Sequence, residues 1–431
     1  MLNSKCSLFI GFLKKYPKSR NSGRKYIFAV LFSCLYIFMI FFMKAYAEPV
    51  EDGKAGDTVP FFADPVELRG VWFSYLDWME MPSDPKEFQL RTDEIMKDIS
   101  RRGLNAVFCH VHSHSDSYGK RLKTFPESNL VPTAKTAPDF DPLSYMIDSA
   151  HKHGLSFHAW LNPYRVTGYA KKWEDVPDDS VLKTWVNDGN ILFHDGEYYL
   201  NPSRKEVQDL LVQAVTEVVT EYPVDGVQFD DYFYPAISEV QSFDYSDYEA
   251  SGSSLSLTEW RRNNVSTLIH RVYKAVHEAD ASAVFGISPV PLLSSLRSDK
   301  AYYVDIDLWM GSNQYVDYIM PQIYHGFEAK TGKGLTAPHA FAVCLSDWIN
   351  LKNKLQSPVK LCIGLALYKC NSDTWDGNQT PEWLRYSDII SREIQYARAT
   401  GAVSGFGIFD YQNFDDEEKQ QELNNLTKLL T

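Results

Sequence analysis

Two adjacent carboxylates follow an apolar run in the middle of the chain. The segment Val224–Phe229 has the pattern of a buried strand, and Asp230 and Asp231 come directly after it. The aromatic stretch Tyr232–Pro235 follows at once. In a parallel barrel, such a strand end presents an acid, a nucleophile and a surface for stacking sugars. An isolated Asp-Asp pair can equally be a solvated turn, so the other strand ends have to decide between the two interpretations.

Cleavage of a glycosidic bond is the chemistry that this arrangement favours. Its oxocarbenium-like transition state needs one protonated carboxyl group for the leaving oxygen and one ionised carboxylate as nucleophile or as base for water. The pattern Asp225-Gly226-x-x-x-Asp230 resembles the fourth-strand motif of amylase-type barrels, in which the last aspartate attacks the anomeric carbon. The chitinase-type pattern D-G-x-D-x-D-x-E does not match, because Gln228 and Tyr232 replace two of its acidic residues. We therefore expect Asp230 to be the principal catalytic residue, without substrate-assisted catalysis.

The second catalytic carboxylate has more than one candidate. An amylase-type enzyme has a glutamate at the end of its fifth strand, where this chain has the segment Gly286–Pro289. Asp231 is the first candidate for the missing group. Because adjacent strand residues point to opposite faces, Asp230 and Asp231 can act together only where the strand has already ended. The alternatives are the loop residues Glu239 and Asp244, and Asp410 on the last strand.

Eight short apolar runs alternate with segments of helical spacing from Val66 onward. The predicted strands are Leu68–Ser74, Ala106–His112, Ser156–Asn162, Val224–Asp231, Ala283–Pro289, Tyr318–Tyr324, Lys360–Tyr368 and Ser404–Tyr411. The predicted helices are Phe88–Arg102, Pro142–His153, Arg204–Tyr222, Thr258–Ala279, Ala337–Leu355, Glu382–Ala397 and Asp416–Leu430. This alternation predicts an α/β fold with a parallel sheet, and eight units favour one closed (β/α)8 TIM barrel with long βα loops. The longest loops are Thr167–Tyr199 and Ala236–Leu257, and no phosphate-binding glycine motif follows any strand.

Polar and aromatic residues stand near the predicted carboxyl ends of all eight strands. Because those ends meet at one mouth of a barrel, we expect their side chains to form a single site. Aromatic faces stack under sugar rings, while amide, guanidinium and imidazole groups bind sugar hydroxyls. The predicted substrate-binding residues are Arg69, Trp72, His110, His112, Trp160, Asn162, Arg165, Tyr232, Tyr234, Ser288, Gln322, Tyr324 and Asp410.

Several blocks of the sequence resemble the bacterial glycosyl hydrolase-like family 10, also catalogued as domain of unknown function 187. The blocks are Leu68–Trp72, Trp160–Arg165, Asp225–Pro235, Trp260–Asn264, Gly286–Pro289 and Met320–Tyr324. The resemblance covers Val66 to Asn413, and the D-G-V-x-F-D-D-Y-F-Y-P block is its most specific part. It implies a TIM-barrel glycosidase of bacterial envelopes. One family member in Gram-negative bacteria is a division-site hydrolase that acts on peptidoglycan glycan strands stripped of their peptides.

The first 47 residues have the composition of an export signal. Basic residues precede an apolar run from Tyr26 to Met43, and Ala45-Tyr46-Ala47 fits the small residues that signal peptidase recognises. We expect cleavage after Ala47, with an uncleaved anchor as the alternative, because about 18 apolar residues can also span a bilayer. Residues 48–65 read as a flexible tether and residues 66–431 as the barrel domain. Both versions predict an extracytoplasmic enzyme.

The charge and the cysteine content of the chain limit the classes of partner and cofactor that we expect. The whole chain has a net charge of −13, and removal of the first 47 residues, which hold eight basic and no acidic residues, makes it −21. A domain with this negative charge repels nucleic acid and anionic lipid. We therefore expect a polysaccharide or oligosaccharide partner. We expect membrane contact only through an uncleaved N-terminal segment. The sequence shows no zinc-ligand spacing, and we expect no metal and no cofactor. Cys109 and Cys362 read as core residues, while a Cys362–Cys370 disulfide stays open.

Two other functions remain as alternatives. A metal-dependent amidohydrolase-like barrel would use His110, His112 and Asp410. That pattern also needs later-strand histidines, for which His325 is the only candidate, and a lysine that the fourth strand lacks. A carbohydrate-binding pseudoenzyme would keep the aromatic mouth without a working acid, and the missing fifth-strand glutamate favours this alternative.

Overall fold

The computed structural model describes residues 66–237, 241–331, 333–372 and 382–431. The predicted signal segment and tether lie outside these ranges, as does the candidate Glu239. Within these ranges, every helix is too short or too polar to cross a bilayer.

Eight parallel strands of the described chain close into a barrel, as the sequence predicts. The strands of the described chain are β1 (Leu68–Phe73), β2 (Ala106–His112), β3 (Ser156–Leu161), β4 (Ile191–His194), β5 (Glu197–Leu200), β6 (Gly226–Phe229), β7 (Val284–Ile287), β8 (Tyr318–Ile319), β9 (Lys360–Ala366) and β10 (Gly405–Phe409). The order around the barrel is β1-β10-β9-β8-β7-β6-β3-β2, and β4 and β5 form a separate antiparallel hairpin.

Helices surround the barrel between successive strands. They are α1 (Tyr75–Met79), α2 (Pro85–Arg101), α3 (Thr133–Thr136), α4 (Pro142–Lys152), α5 (Val181–Trp185), α6 (Lys205–Glu221), α7 (Tyr245–Ser251), α8 (Leu257–Ala279), α9 (Leu293–Leu296), α10 (Ile306–Met310), α11 (Phe341–Leu355), α12 (Glu382–Arg385), α13 (Ile389–Thr400) and α14 (Gln420–Leu430). Their starts follow local rules. Asp84 accepts hydrogen bonds from the first-turn amides of α2, and Ser256 forms a capping box with Glu259 at the start of α8.

The sixth predicted strand is much shorter than its apolar run suggests. The run Tyr318–Tyr324 contains Pro321, which has no amide hydrogen to donate to a neighbouring strand. The strand β8 therefore ends at Ile319, and Gln322 rejoins the sheet through an isolated bridge to Gly364. This irregularity leaves Gln322 at the carboxyl end of the barrel.

The core has two layers. A large apolar cluster fills the space between the outer face of the barrel and the helices, and a smaller one fills the barrel itself. The inner cluster contains Leu68, Trp72, Ala106, Phe108, Trp160, Tyr318, Met320 and Cys362. Glycine makes room for its large rings: a Cβ added to Gly286 would lie 2.0 Å from the Tyr318 ring. The barrel is therefore a packed support for one end, where the site lies.

The four cysteines of the described chain are buried and free. Cys362 lies inside the barrel and Cys370 in the outer cluster, so the Cys362–Cys370 disulfide that the sequence left open is not formed.

Candidate active site

Asp230 and Asp231 line the same cavity at the carboxyl end of the barrel. The strand β6 ends at Phe229, so the backbone no longer alternates regularly where the two aspartates lie. Because the strand has already ended, the side chains of Asp230 and Asp231 can act on the same substrate. The cavity has a volume of about 140 Å³ and is lined by Trp72, Ser74, Tyr75, Leu76, His110, Trp160, Asn162, Arg165, Asp230, Asp231, Tyr232, Ser288, Gln322, Tyr324 and Phe409.

The carboxylate of Asp230 is buried and held from two sides. The indole N–H of Trp160 donates to Oδ2 at 3.2 Å, and the backbone N–H of Tyr232 donates to Oδ1 at 3.1 Å. Burial raises the pKa of Asp230 well above the usual value for aspartate, and the negative charge of Asp231 raises it further. The two hydrogen bonds and Arg165 oppose this increase. Asp230 therefore keeps its proton to a higher pH than an ordinary aspartate.

Asp231 has a different environment in the same cavity. Burial raises its pKa to about 6, while hydrogen bonding to a backbone amide and to Gln322, together with the charge of Arg165, limits the increase. The amide of Gln322 is itself fixed, because its Nε2 donates to the carbonyl oxygen of Ser288 at 2.9 Å. The pKa of Asp230 is thus raised more strongly than that of Asp231, so Asp231 is the first of the two to lose its proton as the pH rises.

A histidine and an asparagine support the indole that holds Asp230. His110 stacks on Trp160 with ring centroids 3.3 Å apart, and its Nδ1 accepts a hydrogen bond from the backbone of Tyr75 at 2.9 Å. The proton on the imidazole therefore belongs on Nε2, which lies 3.5 Å from Oδ1 of Asn162. Burial lowers the pKa of His110 well below its usual range, so the ring is neutral and acts as a fixed support.

Arg165 and Tyr232 form the more open side of the cavity. The guanidinium carbon of Arg165 lies 4.6 Å from the centroid of the Tyr232 ring, which is 44% exposed. Gly168 makes room for this arginine, because an added Cβ would lie 2.3 Å from Nη2. The arginine acts electrostatically on both aspartates from this position.

The opposite wall combines a free hydroxyl with aromatic rings. Among the described residues, the buried Oγ of Ser288 has no hydrogen-bond partner, so it is available to a hydroxyl group of a ligand. Tyr324 stacks against Phe409 with ring centroids 5.7 Å apart. Trp72 reaches the cavity from the barrel interior and donates from Nε1 to Oε1 of Gln228 at 2.7 Å.

Arg69 lies away from this site, contrary to the prediction. It is the second residue of β1, at the amino end of the barrel, and its Nη1 donates to the carbonyl oxygen of Leu430 at 3.4 Å. The apolar run Leu68–Ser74 predicted the strand correctly, but it did not show which of its residues lie at the carboxyl end of the barrel. Arg69 ties the sheet to the last helix.

His112 also lies outside the cavity. The pairing of β2 with β3 shifts register between His110 and His112, which turns the second imidazole away from the first. Its Nδ1–H donates to the backbone carbonyl of Asp116, and its ring lies against Phe125 at 5.3 Å. The two histidines of the metal-dependent alternative therefore do not share a face. Within the described ranges, no group of three His, Cys, Asp or Glu side chains is placed to hold a metal ion.

Tyr234 belongs to a buried charge cluster behind the site. Its hydroxyl donates to Oδ2 of Asp244 at 2.7 Å, and Arg261 donates to Oδ1 of the same carboxylate through Nε at 2.8 Å. Asp244, an alternative for the second catalytic group, is thus already paired with a cation. Tyr234, which the sequence predicted to bind substrate, does not line the cavity, because the chain turns inward after Tyr232.

Asp410 adjoins the cavity without lining it. It follows Phe409, and its Oδ1 accepts a hydrogen bond from Asn413 at 2.5 Å. Burial raises the pKa of Asp410 to about 6, and its charge contributes to the raised pKa of Asp77. The predicted convergence of distant strand ends is confirmed for Asp230, Asn162, His110 and Gln322, which all line one cavity, while Asp410 stands behind it.

The sequence reasoning missed several residues of the site. Ser74, Tyr75, Leu76 and Phe409 all line the cavity. The available signal was the pattern Ser74-x-x-Asp77, a capping box that starts a helix directly after β1 and turns Tyr75 back over His110.

Comparisons with known proteins agree with this geometry. The family described as Glycosyl hydrolase-like 10 matches residues 67–385. Glycosyl hydrolase DigH of Escherichia coli (strain K12) is 30% identical over 393 residues, covering 83% of this chain and 86% of that protein. Glycosyl hydrolase YngK of Bacillus subtilis (strain 168) is 30% identical over 387 residues, covering 83% of this chain and 71% of that protein.

Solved structures of a glycoside hydrolase domain and of a β-amylase share the fold. The PgaB (BpsB) glycoside hydrolase domain from Bordetella bronchiseptica has a TM-score of 0.54 at 14% identity, covering 83% of this chain and 99% of that one. The catalytic domain of a β-amylase from Paenibacillus polymyxa has a TM-score of 0.53 at 10% identity, covering 84% of this chain and 98% of that one. At these identities the likeness concerns the barrel fold. The family match and the curated relatives decide the assignment: this chain belongs to the glycosyl hydrolase-like 10 family of glycoside hydrolases.

Proposed function

We propose that this enzyme acts outside the cytoplasm and hydrolyses O-glycosyl bonds of a cell-envelope polysaccharide, namely peptidoglycan glycan strands freed of their peptides. The observation that carries the proposal is the pair Asp230 and Asp231, a buried and a partly buried carboxylate that line one cavity. The family resemblance supports the choice of substrate, and the export-like first 47 residues support the choice of compartment.

The two aspartates take complementary roles in this proposal. Asp230, which burial and Asp231 keep protonated, donates its proton to the leaving glycosidic oxygen. Asp231 is ionised and stabilises the positive charge that develops on the sugar, as a nucleophile or as the base for water. The amylase-type motif suggested the opposite role for Asp230. The difference in burial and in hydrogen-bond partners favours the present assignment.

The remaining cavity residues position the sugar and the acid. Trp160 holds the acid through its indole N–H, so it does more than provide the stacking surface that the sequence suggested. Arg165, Gln322 and Ser288 present donors toward the cavity for sugar hydroxyls. Tyr232 and Tyr324 add the aromatic faces on which sugar rings stack.

A digestion screen tests the proposed function. The purified enzyme is incubated with intact peptidoglycan, peptide-free glycan strands and common polysaccharides, and the products are read by mass spectrometry. We expect new reducing ends from peptide-free strands, and none from the Asp230→Asn variant. Cleavage of another polysaccharide alone would overturn the substrate. Binding of strands without cleavage of any glycan would instead support the carbohydrate-binding pseudoenzyme.

A further inference from the structure

Arg165 is the cation of the catalytic cavity. Among the described residues that line the cavity, it is the only one with a positively charged side chain. Its Nε donates to the carbonyl oxygen of Thr167 at 3.4 Å. Within the part of the chain that the structure describes, no carboxylate forms an ion pair with Arg165, and no group accepts a hydrogen bond from Nη1 or Nη2. The guanidinium therefore keeps donors that a ligand can use.

The neighbours of Arg165 fix its guanidinium in place. The guanidinium carbon lies over the Tyr232 ring, 4.6 Å from the centroid, and this contact uses the face of the planar group rather than its N–H edge. Gly168 packs against the same group, since an added Cβ would lie 2.3 Å from Nη2. A guanidinium that is already held loses little freedom when it binds a ligand. Its edge suits a carboxylate, which accepts two parallel hydrogen bonds from one arginine.

A second cation lies beside Arg165. The Nζ of Lys172 donates at 3.0 Å to the carbonyl oxygen of Gly168, the residue against which the guanidinium packs. Burial lowers the pKa of His114 to about 3, and the charges of Arg165 and Lys172 lower it further. An anionic group at Arg165 therefore has another positive charge nearby, while charges farther away than about 8 Å are largely screened at physiological salt.

The carboxylates of the cavity determine where such an anion binds. Asp230 and Asp231 are the only acidic residues among the described ones that line it. An anion close to them is repelled, so a ligand carboxylate is stabilised where it contacts Arg165. The Tyr232 ring under the guanidinium is 44% exposed, so this contact is accessible from solvent.

We propose that Arg165 binds a carboxylate, and not only a hydroxyl group, of a sugar unit in the cavity. This inference rests on the proposed function and deepens it. In peptide-free strands, the lactyl group of each muramic acid unit ends in a free carboxylate. In intact peptidoglycan the same carbon forms a neutral amide with the peptide, which has no charge to offer the guanidinium. Arg165 therefore makes the enzyme selective for strands that have lost their peptides.

The test removes the charge of the substrate and the charge of Arg165 in turn. Reduction of the muramic acid carboxyl groups to alcohols gives a neutral strand with the same glycan chain. The wild type should cleave the native strand with a kcat/KM on the order of tenfold to a hundredfold above that for the reduced strand, the value of a hydrogen bond between charged groups. In Arg165→Gln, the ratio of the two kcat/KM values should fall close to unity. Both strands meet the same aspartates, so a change in the pKa of Asp230 or Asp231 affects both and leaves the ratio unaltered.

Two further variants separate direct contact from general attraction. Arg165→Lys keeps the charge but loses the planar fork, so it should keep part of the preference for native strands. Lys172→Gln is the matched control, because it removes a positive charge from the same loop at a residue that does not line the cavity, and it should lower the ratio much less. Equal falls in the ratio for Lys172→Gln and Arg165→Gln would overturn the inference. So would an Arg165→Gln variant that loses kcat/KM by the same factor on both strands, since Arg165 would then act on the aspartates alone.

A binding measurement separates this inference from the proposed function. Retention of native and of carboxyl-reduced strands is compared on immobilised Asp230→Asn and on the Asp230→Asn/Arg165→Gln double variant. Stronger retention of native strands by Asp230→Asn, lost in the double variant, supports the role of Arg165 even if the wild type cleaves no strand. Equal retention of the two strands by Asp230→Asn overturns that role even if the wild type cleaves native strands.

Discussion

The carboxylates that follow β6 differ in the groups that they contact. Asp244 lies against Arg261, whose Nη2 is 2.7 Å from Oδ1, and both side chains are fully buried. Asp230 instead receives hydrogen bonds from an indole and a backbone amide. In the part of the chain that the structure describes, neither Asp230 nor Asp231 forms an ion pair, and Arg165 acts on them from a longer distance.

This difference distinguishes a structural carboxylate from a catalytic one. Burial raises the pKa of Asp244 as well, but the charge and hydrogen bonds of Arg261 oppose that rise, and removal of either partner leaves the other charge uncompensated. A buried carboxylate without such a partner responds by holding its proton, which is the property that an acid catalyst needs near neutral pH. The same segment of chain thus contains a pair that fixes the loop and a pair that can exchange protons with a substrate.

The largest expected effect comes from Asp230→Asn. The amide has nearly the same shape but cannot donate an acidic proton, so kcat should fall by about a thousandfold or more, while folding and strand binding persist. Steady-state kinetics with a circular dichroism control measures this effect. Retention of more than about a tenth of the wild-type kcat, equivalent to only ~1.4 kcal/mol, would show that another residue is the acid.

Loss of the paired cation should chiefly affect stability. Arg261→Met leaves Asp244 buried without its guanidinium, and the free energy of unfolding should fall by about 3–5 kcal/mol. Urea denaturation measures the change. The Arg261→Met/Asp244→Asn double variant is the control, because it removes both charges and should recover part of the loss. A single variant as stable as the wild type would contradict the structural role of the pair.

The pH dependence of kcat should report both catalytic aspartates. Asp231 must be ionised, so activity should rise as the pH increases through about 6. Asp230 must be protonated, so activity should fall again as the pH passes its raised pKa. Asp231→Asn should remove the acidic limb from whatever activity remains. If it removed the alkaline limb instead, the two roles would be reversed.

The difference in stability between the Asp230→Asn variant and the wild type should increase with pH. The pKa of Asp230 is raised in the folded state, so its ionisation lowers the free energy of unfolding of the wild type. This loss of stability begins as the pH rises above the unfolded-state pKa of about 3.9 and is complete above the folded-state pKa. At pH 8 the variant should therefore melt a few degrees above the wild type. At pH 4 the two melting temperatures should nearly coincide. An equal difference at both pH values would show that ionisation of Asp230 is not responsible.

The smallest effect is expected from Gly168→Ala. The added Cβ would displace the guanidinium of Arg165 from its position over Tyr232, at little cost to stability because the side chain is flexible. Loss of this contact should raise KM by about two- to fivefold and leave kcat nearly unchanged. The KM of Leu90→Ala is the control, because the Leu90 side chain is 68% exposed on α2. A fall in kcat alone would indicate that Arg165 acts on the aspartates rather than on the substrate.

Much of the fold and part of the site followed from local sequence patterns. The apolar run Ala106–His112 became β2 with the predicted bounds, and the acidic pair after Phe229 lies in the predicted mouth. The prediction of which residues line the cavity failed where the backbone is locally irregular. A register shift turned His112 away, and the chain after Tyr232 turned Tyr234 into the interior.

The sequence by itself determined the number and direction of the strands and the presence of carboxylates at one end, because strand periodicity and the parallel βα order depend on neighbouring residues. Only the tertiary structure decided which strand-end residues share a cavity and which of the two aspartates has the more strongly raised pKa. Those properties depend on burial and on partners distant in sequence, such as Trp160 and Gln322, whose distances no local pattern contains.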